Sequence, residues 1–148
     1  MKKVLLFIVT TLAYSGVFGQ ILKPVSWSYS LKKTSKYNAI IYLKASIDKG
    51  WHIYAQDIEE GGPVKTTITF KPSERFHLLG KTTQPSPKTK FEKIFNLNIR
   101  YFQNTVIFQQ KISVKSKNLQ IEGNIEFMAC DDSKCLPPED VSFSVVVN

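Results

Sequence analysis

Val25-Ser26-Trp27-Ser28-Tyr29-Ser30-Leu31-Lys32 alternates apolar and polar residues without a break. In an extended strand successive side chains point to opposite faces, so Val25, Trp27, Tyr29 and Leu31 share one face and the serines the other. The pattern predicts a strand half-buried on a core. The same rhythm returns along the chain. Ile41, Leu43, Ala45 and Ile47 form a second strand, closed by Asp48-Lys49-Gly50, and Trp51 to Tyr54 continues as a short third before the loop Glu59-Glu60-Gly61-Gly62-Pro63. Thr66 to Phe70, β-branched and aromatic, makes a fourth, and Phe76 to Leu79 a fifth. Strands resume at Ile99-Arg100-Tyr101, then follow Val106, Phe108, Ile112 and Val114, then Leu119, Ile121, Ile125 and Phe127. Val141, Phe143, Val145 and Val147 close the chain. Roughly eight or nine short strands and no amphipathic helix predict an all-β sandwich.

One segment departs from the rhythm. Gln84-Pro85-Ser86-Pro87-Lys88 cannot form a ladder, and Phe91, Ile94, Phe95 and Leu97 place apolar side chains where the flanks read as loop.

The 148 residues, 43% apolar, suffice for one core and leave no room for a second domain. Lys2 and Lys3, the apolar run from Val4 to Val9 extended by Leu12 and Ala13, and the small residues before Gln20 form the three parts of a secretory signal peptide. Its apolar run is shorter than a membrane span, and cleavage is expected between Gly19 and Gln20, leaving residues 20–148 as a single soluble domain. No cysteine lies near that cut, so no lipoprotein anchor is expected. The formal charge of +8 falls to +6 once Lys2 and Lys3 leave with residues 1–19. The remaining lysines are scattered, with no stripe of basic and aromatic residues, so a solvated basic surface is expected and nucleic-acid binding is not.

Export gives weight to the two cysteines, Cys130 and Cys135, because disulfides persist outside the cytosol. Only four residues separate them. Closing so short a ring contributes about 2 kcal/mol on the chain-entropy model, against nearly 5 for a loop of about 100 residues. The spacing alone leaves two possibilities open: a structural loop disulfide or a redox pair. Zinc is not expected, since His52 and His77 are the only histidines and their spacing to the cysteines matches no recurrent zinc pattern.

The run Cys130-Asp131-Asp132-Ser133-Lys134-Cys135-Leu136-Pro137-Pro138-Glu139 resembles the N-terminal periplasmic domain of the thiol:disulfide interchange protein DsbD. So does the block Ile47-Asp48-Lys49-Gly50-Trp51-His52-Ile53-Tyr54 with Gly61-Gly62-Pro63. The resemblance runs from about Val25 to Val147. It departs from enterobacterial members in having four residues, not five, between the cysteines, so loop geometry and redox potential do not carry over. It implies an immunoglobulin-like sandwich, a redox-active Cys130/Cys135 pair and no cofactor. By position, His52 and Tyr54 match the aromatic pair near the cysteines, with histidine in a place where relatives carry tyrosine. The segment from Phe91 to Leu97 corresponds to the cap loop, and Phe95, with Phe91 next, is the expected cap residue.

The residues themselves suggest plainer roles beside these. Tyr54 and Trp51 suit ordinary packing, His52 a solvated or hydrogen-bonded surface position, and Phe91 and Phe95 anchoring of a loop. Around the sulfurs, Asp131 and Asp132 disfavour a thiolate on Cys130, whereas Lys134 favours one on Cys135. The expected function is a periplasmic thiol–disulfide relay between a thioredoxin-like domain or membrane electron donor and periplasmic disulfide proteins, of the protein-disulfide reductase type. The other class is a non-enzymatic interaction module whose disulfide only fixes a loop. By resemblance, the second cysteine, Cys135, bonds the partner.

Overall fold

The computed structural model describes residues 22–93, 95–115 and 118–148. The leader, the cleavage point and the apolar position Ile94 lie outside them. Eleven strands occur among the described residues: β1 Val25–Lys33, β2 Asn38–Ile47, β3 His52–Tyr54, β4 Thr67–Phe70, β5 Phe76–Thr83, β6 Lys88–Glu92, β7 Leu97–Phe102, β8 Thr105–Val114, β9 Leu119–Phe127, β10 Ala129–Cys130 and β11 Glu139–Val147. They form three antiparallel sheets, in the orders β1-β2-β8-β5, β11-β9-β4 and β10-β3-β7-β6. The fold is all-β and immunoglobulin-like.

The first two sheets face each other across the core. Strict alternation puts Ile41, Leu43, Ala45 and Ile47 of β2 and Val106, Phe108, Ile112 and Val114 of β8 inside, opposite Ile121, Ile125 and Phe127 of β9 and Phe143, Val145 and Val147 of β11. Trp27 of β1 bridges the layers, its ring 6.0 Å from Phe108 and 5.5 Å from Phe127. At one position within the sheet β11-β9-β4 the neighbouring strands leave no room for a side chain. A Cβ on Gly123 would lie 2.2 Å from the Thr69 carbonyl oxygen and 2.4 Å from the Phe143 ring, so the Phe143 side chain fills the space above it.

Three strands of the third sheet continue strands of the other two. β2 passes through the turn ending at Gly50, whose φ of +87° suits a residue without Cβ, into β3. β9 runs through Met128 into β10, and β7 turns at Asn104, also left-handed, into β8. One face of this sheet, with Ile53, Phe102 and Ala129, joins the main core. The other face is left for a separate cluster.

Two expectations are corrected here. Residues 84–98 are not all loop: Lys88–Glu92 pairs with β7 as an edge strand, because the prolines block a ladder only as far as residue 87 and an edge strand needs partners on one side alone. β5 extends four residues beyond Leu79, to Thr83, through a register shift that includes Gly80, at φ +75°.

Candidate functional site

Cys130 ends β10 and Cys135 begins the return, and the two are bonded as a disulfide. They face each other as an isolated antiparallel bridge with Cα atoms 4.0 Å apart, the close non-hydrogen-bonded kind of pair. Backbone bonds flank the bridge on both sides, Asp131 N–H to the Lys134 carbonyl at 2.9 Å and Leu136 N–H to the Ala129 carbonyl at 2.9 Å. Between them the Asp131 carboxylate accepts from Ser133 N–H, Ser133 Oγ–H and Lys134 N–H at 2.7, 2.8 and 2.7 Å. These bonds hold the Asp131 carboxyl below its ordinary value, the Ser133 backbone contributing most. Aspartate at the start of so tight a turn is chosen for that side-chain bonding.

The two sulfurs have different surroundings. Cys130 is 1% exposed, whereas Cys135 is open to solvent. The Lys134 ammonium lies over the Trp51 ring, 5.9 Å from its centre, and Asp132 is exposed.

Strand register decides what surrounds Cys130. It pairs with His52 across β10 and β3; Tyr54, two residues on, pairs with Tyr101 of β7; and Ile99 of β7 pairs with Lys90 of β6. Residues opposite one another or two apart share a face, so Cys130, His52, Tyr54, Tyr101, Ile99 and Lys90 lie together. The rings confirm it. His52 meets Tyr54 edge-on at 5.3 Å and Tyr101 at 5.4 Å, and the Lys90 ammonium sits 5.3 Å over the Tyr101 ring while pairing with Glu92 at 2.9 Å. Tyr54 Oη lies 4.0 Å from Cys135 Sγ, with the hydroxyl as donor because a disulfide sulfur carries no hydrogen. Burial, helped by the Glu92 carboxylate, pushes Tyr54 up to about 12, so it keeps that proton.

Phe95, in the turn between β6 and β7, is half-buried and packs on the cluster of Tyr54, Ile99 and Cys130, with Ile58, Leu97, Tyr101 and Met128 around it. Asn96 beside it takes the left-handed conformation at φ 53° that tightens the turn. Phe91 goes elsewhere. It pairs with Asn98, one residue out of phase with Ile99 and Tyr101, and therefore lies on the opposite face of the sheet, 57% exposed.

His52 differs from the surface position expected of it. It is 1% exposed, and its Nε2 is buried with no hydrogen-bond partner. Burial first, then the Lys90 charge, lowers its pKa to about 4 against the smaller opposing pulls of Glu92, Asp132 and Asp131, so the ring is neutral near pH 7. A lone histidine between Trp51 and Ile53 gives no sign of this, because its cover comes from β7 and β10. Tyr101 was missed for the same reason, although the alternation Ile99-Arg100-Tyr101 would have placed it beside Ile99.

Fold and site together define an immunoglobulin-like domain that presents a short-loop disulfide with one sulfur buried and one exposed. The sequence model of the family described as thiol:disulfide interchange protein DsbD, N-terminal, matches residues 20–146, and the chain belongs to that family. It is thus a domain of the thiol–disulfide exchange class. Comparison with curated proteins finds no match. Among solved structures, the chain is similar to the reduced DsbD N-terminal domain of Neisseria meningitidis, with TM-score 0.53 and 14% identity, covering 81% of this chain and 85% of that one. It is also similar to the complex between the DsbD N-terminal and PilB N-terminal domains from the same organism, with TM-score 0.56, 13% identity and coverage of 87% and 90%. The N-terminal periplasmic domain of ScsB from Proteus mirabilis matches at TM-score 0.62 and 18% identity over 84% of this chain. The chain covers only 47% of that structure, about half its length. At such identities these structures support the fold.

Proposed function

We propose that this chain is an exported, periplasmic relay, which takes reducing equivalents from a thioredoxin-like domain or membrane electron donor and passes them to disulfide-bonded proteins through Cys130 and Cys135. Cleavage after Gly19, leaving residues 20–148 as one domain, belongs to the same proposal. Among the described residues no helix is long and apolar enough to cross a membrane.

The observation that carries the proposal is the unequal exposure of the two sulfurs. Exchange requires in-line access to one sulfur and a leaving group on the other. Cys135 is exposed and Cys130 is buried, so an incoming thiolate reaches Cys135 Sγ and Cys130 leaves. In the reverse direction, a thiolate on Cys135 has the Tyr54 hydroxyl as its donor. Phe95 and the rings of Tyr54 and His52 shield the inner sulfur, and Phe95 is the cap a partner displaces. The complex of the Neisseria meningitidis DsbD N-terminal domain with the PilB N-terminal domain is a precedent for such a partner.

Trapping tests it. Cys130→Ser should form a stable mixed disulfide with a thioredoxin-like partner lacking its own resolving cysteine, and Cys135→Ser should form little. Equal trapping by the two variants, or more by Cys135→Ser, would reverse the assigned roles. A reduction potential below about −300 mV for the wild-type pair would identify a structural staple instead.

A further inference from the structure

The His52 Nε2 is a buried polar atom without a partner in a protein whose disulfide is closed. Buried polar groups are paired in the great majority of cases, and leaving one unpaired is costly. A polar atom that lacks a partner in one state of a protein is a candidate for gaining one in the other. The residue directly across the sheet from His52, on the same face, is Cys130. In the disulfide Cys130 has no hydrogen to donate. In the dithiol it has an S–H, in the same buried cluster.

The geometry points to His52 as a positioning residue that acts through Cys130: on reduction the Cys130 thiol donates a hydrogen bond to His52 Nε2, so the histidine stabilises the dithiol and raises the reduction potential of the pair. The inference rests on the exchange chemistry proposed above only for its use, not for its existence. In the step concerned, a partner thiolate attacks Cys135 Sγ, the S–S bond breaks with its electron pair on Cys130, and Cys130 takes one proton from solvent. The resulting S–H is the donor, and His52 itself neither gains nor loses a proton. Neutrality of the ring is required for it to accept. The charged and titratable groups facing it are Tyr54 on its own strand, Tyr101 on β7, Lys90 and Glu92 on β6, and Asp131 and Asp132 in the cysteine loop. Burial and Lys90 outweigh the three carboxylates and hold the ring neutral. The bond also keeps the proton on Cys130, so the reduced pair presents its thiolate at Cys135.

The test is equilibration of the wild type and His52→Phe with glutathione redox buffers, counting free thiols. Phenylalanine keeps an aromatic ring between Tyr54 and Tyr101 but cannot accept a hydrogen bond. The equilibrium constant for reduction should fall by about threefold to tenfold in the variant, tenfold being about 30 mV for a two-electron couple. His52→Gln, which restores an acceptor, should recover part of the loss. A second measurement needs no folded variant at position 52. The ring nitrogens of 15N-histidine-labelled wild type should shift at His52 when the pair is reduced with dithiothreitol, and should stay near the disulfide-state value in reduced Cys130→Ala. Equal potentials for wild type and His52→Phe, or a His52 nitrogen signal that reduction leaves in place, would overturn the inference. Both measurements use small-molecule reductants. Failure of the protein to trap a partner would therefore refute the relay and leave this hydrogen bond standing, and the reverse outcome would do the opposite.

Discussion

The two faces of the sheet β10-β3-β7-β6 lie a strand's thickness apart and are built on different terms. On one face Ala129, Ile53 and Phe102 enter the main hydrophobic core, and Phe102 meets Phe108 edge-on at 5.8 Å. On the other, Cys130, His52, Tyr54 and Tyr101 crowd together with a buried imidazole nitrogen left unpaired, a tyrosine that holds its proton, and a Lys90–Glu92 pair at the edge. The side chains that this sheet buries on its inner face, Ile53, Phe102 and Ala129, are hydrocarbon. The outer face carries groups that favour neither water nor hydrocarbon. If the first face serves stability and the second the exchange proposed above, substitutions on the two faces should separate in their effects.

The sharpest contrast comes from the core. Ile125 on β9 is fully buried between the layers. Ile125→Ala should cost about 2–5 kcal/mol in chemical denaturation, with no change in the reactivity of the reduced cysteines in the protein that remains folded. A change in thiol reactivity of the folded fraction would show that the two faces are coupled.

The pH dependence of stability should come from the other face. His52 has a folded pKa of about 4, below its ordinary 6.5, so between those values the unfolded chain binds a proton that the native state refuses. Stability contributed by this group is complete above pH 6.5 and declines as the pH falls toward 4. Denaturation midpoints measured at pH 7.5 and 4.5 should therefore differ more in the wild type than in His52→Phe. Equal differences would mean that the histidine is less buried than its 1% exposure indicates.

The smallest effect on stability, joined to a clear one on chemistry, is expected at the cap. Phe95→Ala removes a half-buried ring and should cost less than about 2 kcal/mol. It should nevertheless accelerate alkylation of the reduced cysteines several-fold. Phe91→Ala, on the opposite face, should do neither. Loss of several kcal/mol at Phe95 with unchanged thiol reactivity would move that residue to the stabilising side of the comparison.

How far each region was legible follows from the range of the interactions that build it. Alternation is local, so Val25 to Leu31, Ile41 to Ile47 and Leu119 to Phe127 announce their strands, and eleven strands stand where eight or nine were expected because two short ones have no alternation of their own. The cysteine pair is legible because the chain has no others. Register is not local. Whether Phe91 or Phe95 faces Cys130 depends on pairing Phe91 with Asn98 rather than Ile99, and the burial of His52 depends on two strands far along the chain. The edge strand β6 was concealed by Pro85 and Pro87, which end just before it begins.

The small hairpin that carries the cysteines gives the pair a property of its own. Two backbone bonds and three bonds to the Asp131 carboxylate hold residues 129–136 in place, none of them through sulfur. Opening the S–S bond removes one tie among several, so the two thiols are not released to wander. They face each other at the effective concentration of a built turn, and re-forming their bond requires little reorganisation of the chain. In the proposed relay, electrons would enter and leave this loop with little movement of the backbone around it.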